Sequence, residues 1–251
     1  MIKEKRIKKI HDYVNEHQSA SLDELVEVFD VSKNTIRRDV QELVDRGDLK
    51  KVYGGVSVAH KKLESFQDRQ VRNQQQKVLI SEKASSFVED GDFIFIDSGT
   101  TTIEMFNYLK DKNLTIFTNS IDFIVRALPF ENLNVISVGG MLDRKTNSFV
   151  NPRNMDLFKD YNIKKAFMAS TGISLANGVT NASPLESELK KTIVNRSSEV
   201  YLLIDHDKFD KYGLMTFCGL NEIDVLITDR RPDDTYQDYA KNNQIQLVIA
   251  E

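Results

Sequence analysis

Residues 31–56, VSKNTIRRDVQELVDRGDLKKVYGGV, read as a helix that runs straight into a basic hairpin. Ser32 can cap the helix through its hydroxyl. Ile36, Val40, Leu43 and Val44 then fall at i, i+4, i+7 and i+8, the spacing of one buried face. The helix stops at Gly47. Its outward positions are Lys33, Asn34, Arg37, Arg38 and Gln41, long or amide side chains that can reach phosphates and base edges. LKKVYGGV follows as a hairpin-like wing, where the Gly54-Gly55 pair permits a tight reversal and Lys50, Lys51 and Tyr53 stand beside it.

Working outward, SLDELVEVF gives a short helix opened by a capping box, Ser21 with Glu24, and carrying Leu22, Leu25, Val26 and Phe29 as its buried stripe. Before it, Ile7, Ile10 and Val14 sit at helical spacing among Lys and Arg, so a first amphipathic helix ends near residues 16–18. Short amphipathic helices are common, and a basic face is usually just a solvated one. The order is what distinguishes this segment. Two capped helices meet at a tight turn, the polar and basic face is confined to the second, and a basic wing follows directly. That order is the pattern of a DNA-binding winged helix-turn-helix, here residues 1–57.

Composition is compatible with this. The chain has 251 residues, 40% hydrophobic and 29% charged, which fits a folded protein of two domains and excludes disordered and fibrous classes. No run approaches the roughly 18 apolar residues of a membrane span, and MIKEKRIKKI lacks the apolar core of a secretory signal, so a cytoplasmic location is expected. The net charge of −4 conceals a mild asymmetry: residues 1–62 carry 13 Lys or Arg against 11 Asp or Glu. DNA affinity must therefore come from where basic residues are placed, not from a bulk field. The single cysteine, Cys218, lies in an apolar setting and reads as a buried, inert thiol. His11, His17 and His60 show no zinc spacing, and no metal is expected.

The run 31–56 resembles the winged-helix signature of the DeoR family of bacterial sugar-catabolism regulators. The resemblance makes residues 32–46 the recognition helix. DNA contacts are then expected from Ser32, Lys33, Asn34, Thr35, Arg37 and Arg38, with Lys51, Tyr53 and Gly54 from the wing. Asp39 reads as a structural or orienting charge.

Residues 58–74 are polar and mixed in charge, and read as a linker partly wrapped into helix. From residue 75 to 251 short apolar strands alternate with helices: FIFID, LTIFT, NVISVGG, KKAFMAS, EVYLLID, DVLIT and QLVIA. Such alternation implies an α/β domain with a mainly parallel sheet covered on both faces, and ligands of such sheets bind beyond the carboxyl ends of the strands. Several strand ends carry anion-holding residues. Asp97, Ser98, Gly99, Thr100 and Thr101 join a strand to a helix, where backbone amides can face a phosphate. Asn119 and Ser120 end the next strand and Gly139 the one after, with Arg144 and Lys145 close behind. Gly172 and Lys208 follow later ends. No P-loop and no G-x-G-x-x-G occurs, so a nucleotide cofactor is not expected.

This second half is similar to the sugar-phosphate sensor domain of the same family, a fold related to ribose-phosphate isomerases and CoA transferases. The motifs are FIDSGTT, TNS, VGG, RKTNSFV, AFMASTG, GVTN and LIDHDKF. The resemblance implies that Ser98, Gly99, Thr100, Thr101 and Lys208 contact the phosphate of an effector. Asp210 departs from the family pattern, which often has Gly there. Within the family the combined motifs are most similar to inositol-catabolism repressors of low-GC Gram-positive bacteria, which implies a phosphorylated keto-sugar acid whose second anionic group could use Arg144 or Lys145. The expected partners are operator DNA, this effector and a second copy of the chain in a homodimer or homotetramer. The rival reading is a sugar-phosphate isomerase-like enzyme with Asp97, Asp205 or Glu186 as base and Lys208 as stabiliser.

Overall fold

Three separate hydrophobic clusters organise the chain, one in the first 63 residues and two on opposite faces of one sheet. The structure is a computed structural model describing residues 3–45, 47–58, 65–151 and 160–251. Arg46 and His60 lie outside the described residues, as does part of the expected linker. The chain divides into two compact units, Met1–Leu63 and Glu64–Glu251.

The first unit contains α1 (Lys3–His17), β1 (Ser19–Ser21), α2 (Leu22–Phe29), α3 (Lys33–Asp45), β2 (Leu49–Val52) and β3 (Gly55–Val58). Ile7, Ile10 and Val14 of α1, Leu25 of α2, and Ile36, Val40 and Leu43 of α3 make its core. The capping box at Ser21 and Glu24 is formed, and Asp30 ends α2 in the left-handed conformation. The hairpin β2–β3 reverses over Tyr53 and Gly54, with Val52 paired to Gly55. Only Gly54 of the two glycines takes a positive φ, +78°. Gly55 serves differently from the expected turn. It starts β3, which pairs with β1, and a Cβ there would lie 2.2 Å from the Ala20 carbonyl oxygen.

The second unit begins with α4 (Phe66–Val71) and α5 (Gln74–Ser85), then β4 (Phe93–Ile96), a 3-10 turn at Thr102–Met105, α6 (Phe106–Leu109), β5 (Leu114–Thr118), α7 (Ile121–Ala127) and β6 (Leu133–Ser137). A hairpin of β7 (Met141–Asp143) and β8 (Ser148–Val150) follows, then β9 (Ile163–Met168), β10 (Gly172–Ser174), β11 (Gly178–Asn181), α8 (Pro184–Val194) and β12 (Ser197–Leu203). The chain continues through β13 (Met215–Cys218), β14 (Val225–Thr228), α9 (Asp234–Asn242) and β15 (Gln246–Ile249).

Seven strands form one sheet in the order β15-β14-β12-β9-β4-β5-β6, and every pair is parallel. Period-2 alternation sorts its side chains onto the two faces. Phe95, Ala166, Met168, Val200 and Leu202 join Leu189 and Ile193 of α8 and Tyr236 of α9 on one side. Ile94, Ile96, Phe167, Tyr201 and Leu203 join Ile80 of α5, Phe106 of α6 and Phe123 of α7 on the other. Sequence order runs outward from β4 to β6 in one direction and from β9 to β15 in the other. The strand order therefore reverses between β4 and β9, where loops leave on opposite sides and open a crevice.

Candidate functional site

On the first unit, α3 is anchored by Ile36 and Val40, which turns Asn34, Arg37 and Arg38 to solvent. None of these three side chains makes a hydrogen bond or ion pair among the described residues. Ser32 and Thr35 are engaged in the cap: the Ser32 hydroxyl lies 2.9 Å from Thr35 Oγ1 and accepts from the Thr35 amide. Lys33 is ion-paired with Asp23. The helix acids are engaged within the unit. Asp39 is buried and bound to Arg6 at 2.5 Å, Glu42 pairs with Lys3, and Asp45 accepts from Gln41. Lys51, Tyr53 and Gly54 are exposed on the wing, with Tyr53 wholly in solvent.

On the second unit, a cavity of about 30 Å3 opens where the sheet order reverses. It is lined by Gly99, Thr100 and Thr101 after β4, Ala169 and Ser170 after β9, Leu203 at the end of β12 with Asp205 and Lys208 after it, and Arg69, Arg72 and Lys77 from the α4–α5 region. Four cations thus surround one carboxylate. Gly99 allows the two loops to approach, because a Cβ there would lie 2.2 Å from the Ala169 Cβ. Burial lowers the ammonium pKa of Lys77 to about 8, against the opposing pull of Asp205 and with the support of Arg72 and Arg69. Lys208 is lowered to about 8 by the same causes in the same order, with Lys77 adding to the repulsion. A site that makes two lysines easier to deprotonate favours an arriving anion, which would restore their charge. In the same lining, Ser170 Oγ is buried without a hydrogen-bond partner among the described residues.

The structure brings Gly99, Thr100, Thr101 and Lys208 together, and sorts the other expected residues elsewhere. Asp97 does not face the cavity as a ligand. It is fully buried, 2.6 Å from Lys190 Nζ, and accepts the Ala169 amide. Ser98 donates to Glu186 and accepts from Asn119. Ser120 caps α7 through the Phe123 amide. Gly139 and Gly172 do not line the cavity. Gly139 turns the chain after β6 with φ +63°, and Gly172 lets the Lys211 carbonyl come within 2.4 Å of where a Cβ would stand. Arg144 and Lys145 are exposed in the β7–β8 turn, outside the lining. The helix N-terminus expected after this loop is also weaker than the sequence implies. The element opens as a 3-10 turn followed by a four-residue helix, so side-chain cations, not a helix dipole, supply the positive field.

Sequence reasoning missed Arg69, Arg72, Lys77, Ser170 and Lys190. Arg69 and Arg72 lay in the segment read as linker. Lys190 is one of two adjacent lysines on α8, and it is the buried one. Behind the cavity loop, Glu186 gathers several segments. It accepts from Ser98, from Ser148 at 2.6 Å and from Asn181 at 3.0 Å. Burial alone would raise its carboxyl pKa, but the charge of Lys190 and the hydrogen bonds of Ser148, Asn181 and Thr146 outweigh it and hold the group ionised. Among the described residues no cluster of His, Cys, Asp and Glu could hold a metal, and no helix is long and apolar enough to cross a membrane.

Residues 6–62 match the DeoR-like helix-turn-helix domain and residues 72–230 match the DeoR C terminal sensor domain. The chain is 44% identical over 247 residues to the HTH-type transcriptional regulator IolR of Bacillus subtilis (strain 168), spanning 98% of each. It is 32% identical over 255 residues to the lactose phosphotransferase system repressor of Staphylococcus epidermidis, spanning 99% of this chain and 98% of that one. A solved D-ribose-5-phosphate isomerase in complex with phospho-erythronic acid superposes on 54% of each chain with a TM-score of 0.41 and 15% identity, a likeness too distant to carry chemistry.

Proposed function

The chain belongs to the DeoR family, and from that premise we propose that it is a transcriptional repressor of a carbohydrate catabolic operon, released from operator DNA by a phosphorylated sugar or sugar acid. The observation that carries the effector half is the cavity at the β4–β9 reversal, where Arg69, Arg72, Lys77 and Lys208 converge beside the Gly99–Thr101 backbone. Its volume suits the charged end of a ligand, about the room of two water-sized groups. The sugar portion would extend outward from it. The similarity to inositol-catabolism repressors makes a keto-sugar acid phosphate from inositol breakdown the first compound to try.

A binding role is favoured over turnover by the state of the carboxylates. Asp97 is neutralised by Lys190, and Glu186 is held by three hydrogen bonds from side chains. Neither is poised to take a proton from a substrate. Asp205 faces the cations and accepts the Asp207 amide. On DNA, Asn34, Arg37 and Arg38 would read base edges, and Lys51 and Tyr53 would reach the backbone. One recognition helix reads too few base pairs for a genome, so a homodimer or homotetramer on paired half-sites is part of the reading.

Thermal shift against phosphorylated and unphosphorylated sugars tests the proposal. A ligand at about 100 times its Kd stabilises the protein by about 2.7 kcal/mol. The compound that stabilises should also weaken operator binding. Linkage then requires operator to weaken that compound by the same factor. If stabilisation comes equally from the unphosphorylated sugar, the cation-lined cavity is not the effector site.

A further inference from the structure

The two arginines of the cavity come from an unexpected place. Arg69 belongs to α4, the first described element of the second unit and the one that follows the DNA-reading unit along the chain, and Arg72 is the extended residue that caps its C-terminal end. Helix α4 has six residues, too few for a helix to be stable on its own intrahelical bonds. Phe66 is its buried residue, and Val71 is 72% exposed. It is held otherwise by polar contacts. Arg69 lies over the Phe66 ring and donates to the Lys145 carbonyl, and the Lys77 ammonium donates to the Arg69 carbonyl. At its C-terminal end Asn73 takes a left-handed conformation, φ +53°, and donates to Asp207 at 2.8 Å, next to Lys208.

Resting on the effector reading above, we infer that α4 is a clamp, in which Arg69 and Arg72 bind the anion directly and anion occupancy orders the segment 65–73. A tetrahedral dianion offers three strong acceptors, and guanidinium groups pair with such oxygens in fixed, bidentate geometry. Arg69, inside a short, weakly buried helix, and Arg72, at its C-terminal cap, gain a common partner when the cavity fills. The gain falls on the helix as well as on the ligand. Asn73 and Lys208 tie the other end of the same segment to the same cavity wall through Asp207. The ligand site thereby includes the stretch of chain that leads out of the DNA-reading unit.

Hydrogen exchange on the full-length protein, with inorganic phosphate against chloride at matched ionic strength, tests this. Phosphate should slow exchange in residues 66–73 and in 98–102 together. Protection of 98–102 with 66–73 unchanged would overturn the clamp and leave the effector reading intact. Protection of neither would overturn both. In parallel, phosphate affinity is read by thermal shift for Arg72→Ala, an exposed position, and for the Arg69→Ala, Arg72→Ala pair, with urea transitions confirming that each folds. The single change should weaken phosphate about tenfold and the double change more. Unchanged affinity in the folded Arg72→Ala protein would refute direct binding by that residue.

Discussion

Replacing Lys190 with methionine isolates the buried ion pair beneath the ligand loop. Methionine keeps the length and approximate volume of the side chain while deleting its charge. In the parent, Lys190 Nζ stands 2.6 Å from Asp97 Oδ2 and 2.7 Å from the Ala169 carbonyl, with the two side chains 4% and 0% exposed. Removing one partner of such a pair strands the other charge in the interior, at a cost of about 3–5 kcal/mol. For a unit of this size each kcal/mol moves the midpoint by about 2–4 °C, so the sensor transition should fall by about 6–20 °C. Adding Asp97→Asn removes the stranded charge and should recover at least half of the loss, because a neutral buried pair has no charge to desolvate. The assay is thermal and urea unfolding followed by circular dichroism, with the parent and both variants. A Lys190→Met protein within about 1 kcal/mol of the parent, or a double variant less stable than the single one, would refute the assignment of Asp97 as structural.

Three further outcomes follow from the geometry. Gly55→Ala should abolish operator binding by displacing the wing from β1, since the new Cβ would collide with the Ala20 carbonyl; gel shift at normal affinity would show that the strand gives way. Arg37→Ala and Arg38→Ala should each lower operator affinity, by about 1–3 kcal/mol with relaxed preference where the side chain reads a base and with a shallower salt slope where it meets phosphate, whereas Lys33→Ala, already paired to Asp23, should cost less. Equal losses at all three positions in a fluorescence titration would contradict this. Phosphate affinity should fall as pH rises through about 8. Lys77 and Lys208 have folded pKa values below the unfolded one, so between about 8 and 10.5 the unliganded fold binds fewer protons than the unfolded chain and gains stability with pH. Bound anion holds those protons on, against a background of Arg69, Arg72, Asp205 and Glu104, and calorimetry in two buffers should detect proton uptake near pH 8.5. No uptake there would remove both lysines from the anion.

The parts that the sequence made legible were those written in local periodicity. The capping box at Ser21, the outward face of α3 and the alternation of strand with helix follow from neighbours a few residues apart, and the structure has each of them. Asp39, expected as a structural or orienting charge, is buried on α3 and paired with Arg6. Gly99, Thr100 and Thr101 after β4 and Lys208, expected as effector contacts, lie together in the cavity lining. What escaped depends on long-range pairing. Nothing local distinguishes buried Lys190 from exposed Lys191, since the difference is Asp97, brought near by the sheet. Arg69 and Arg72 sit in a polar run whose composition resembles a solvated linker, and their destination is set by Phe66 and by the Asn73–Asp207 contact. Conversely Arg144 and Lys145 looked like ligands because they follow a strand end, but they occupy a hairpin turn facing solvent.

The pairing of β4 with β9 has a consequence for how the molecule comes into being. Ile94 of β4 meets Lys165 of β9, whereas β4 with β5, and β5 with β6, pair as close neighbours in the chain. Contacts of high sequence separation form late, and a chain growing from its N-terminus has its head and the first three strands before β9 emerges. One wall of the cavity belongs to the loop after β4 and another to the loop after β9, with Lys208 later still. Synthesis therefore produces the part that grips DNA well before the part that listens. On the proposed function, a newly emerging chain has no complete anion cavity until the second half of the sheet docks, and a chain cut short after β6 would keep the residues of its N-terminal core while lacking Ala169, Ser170 and Lys208.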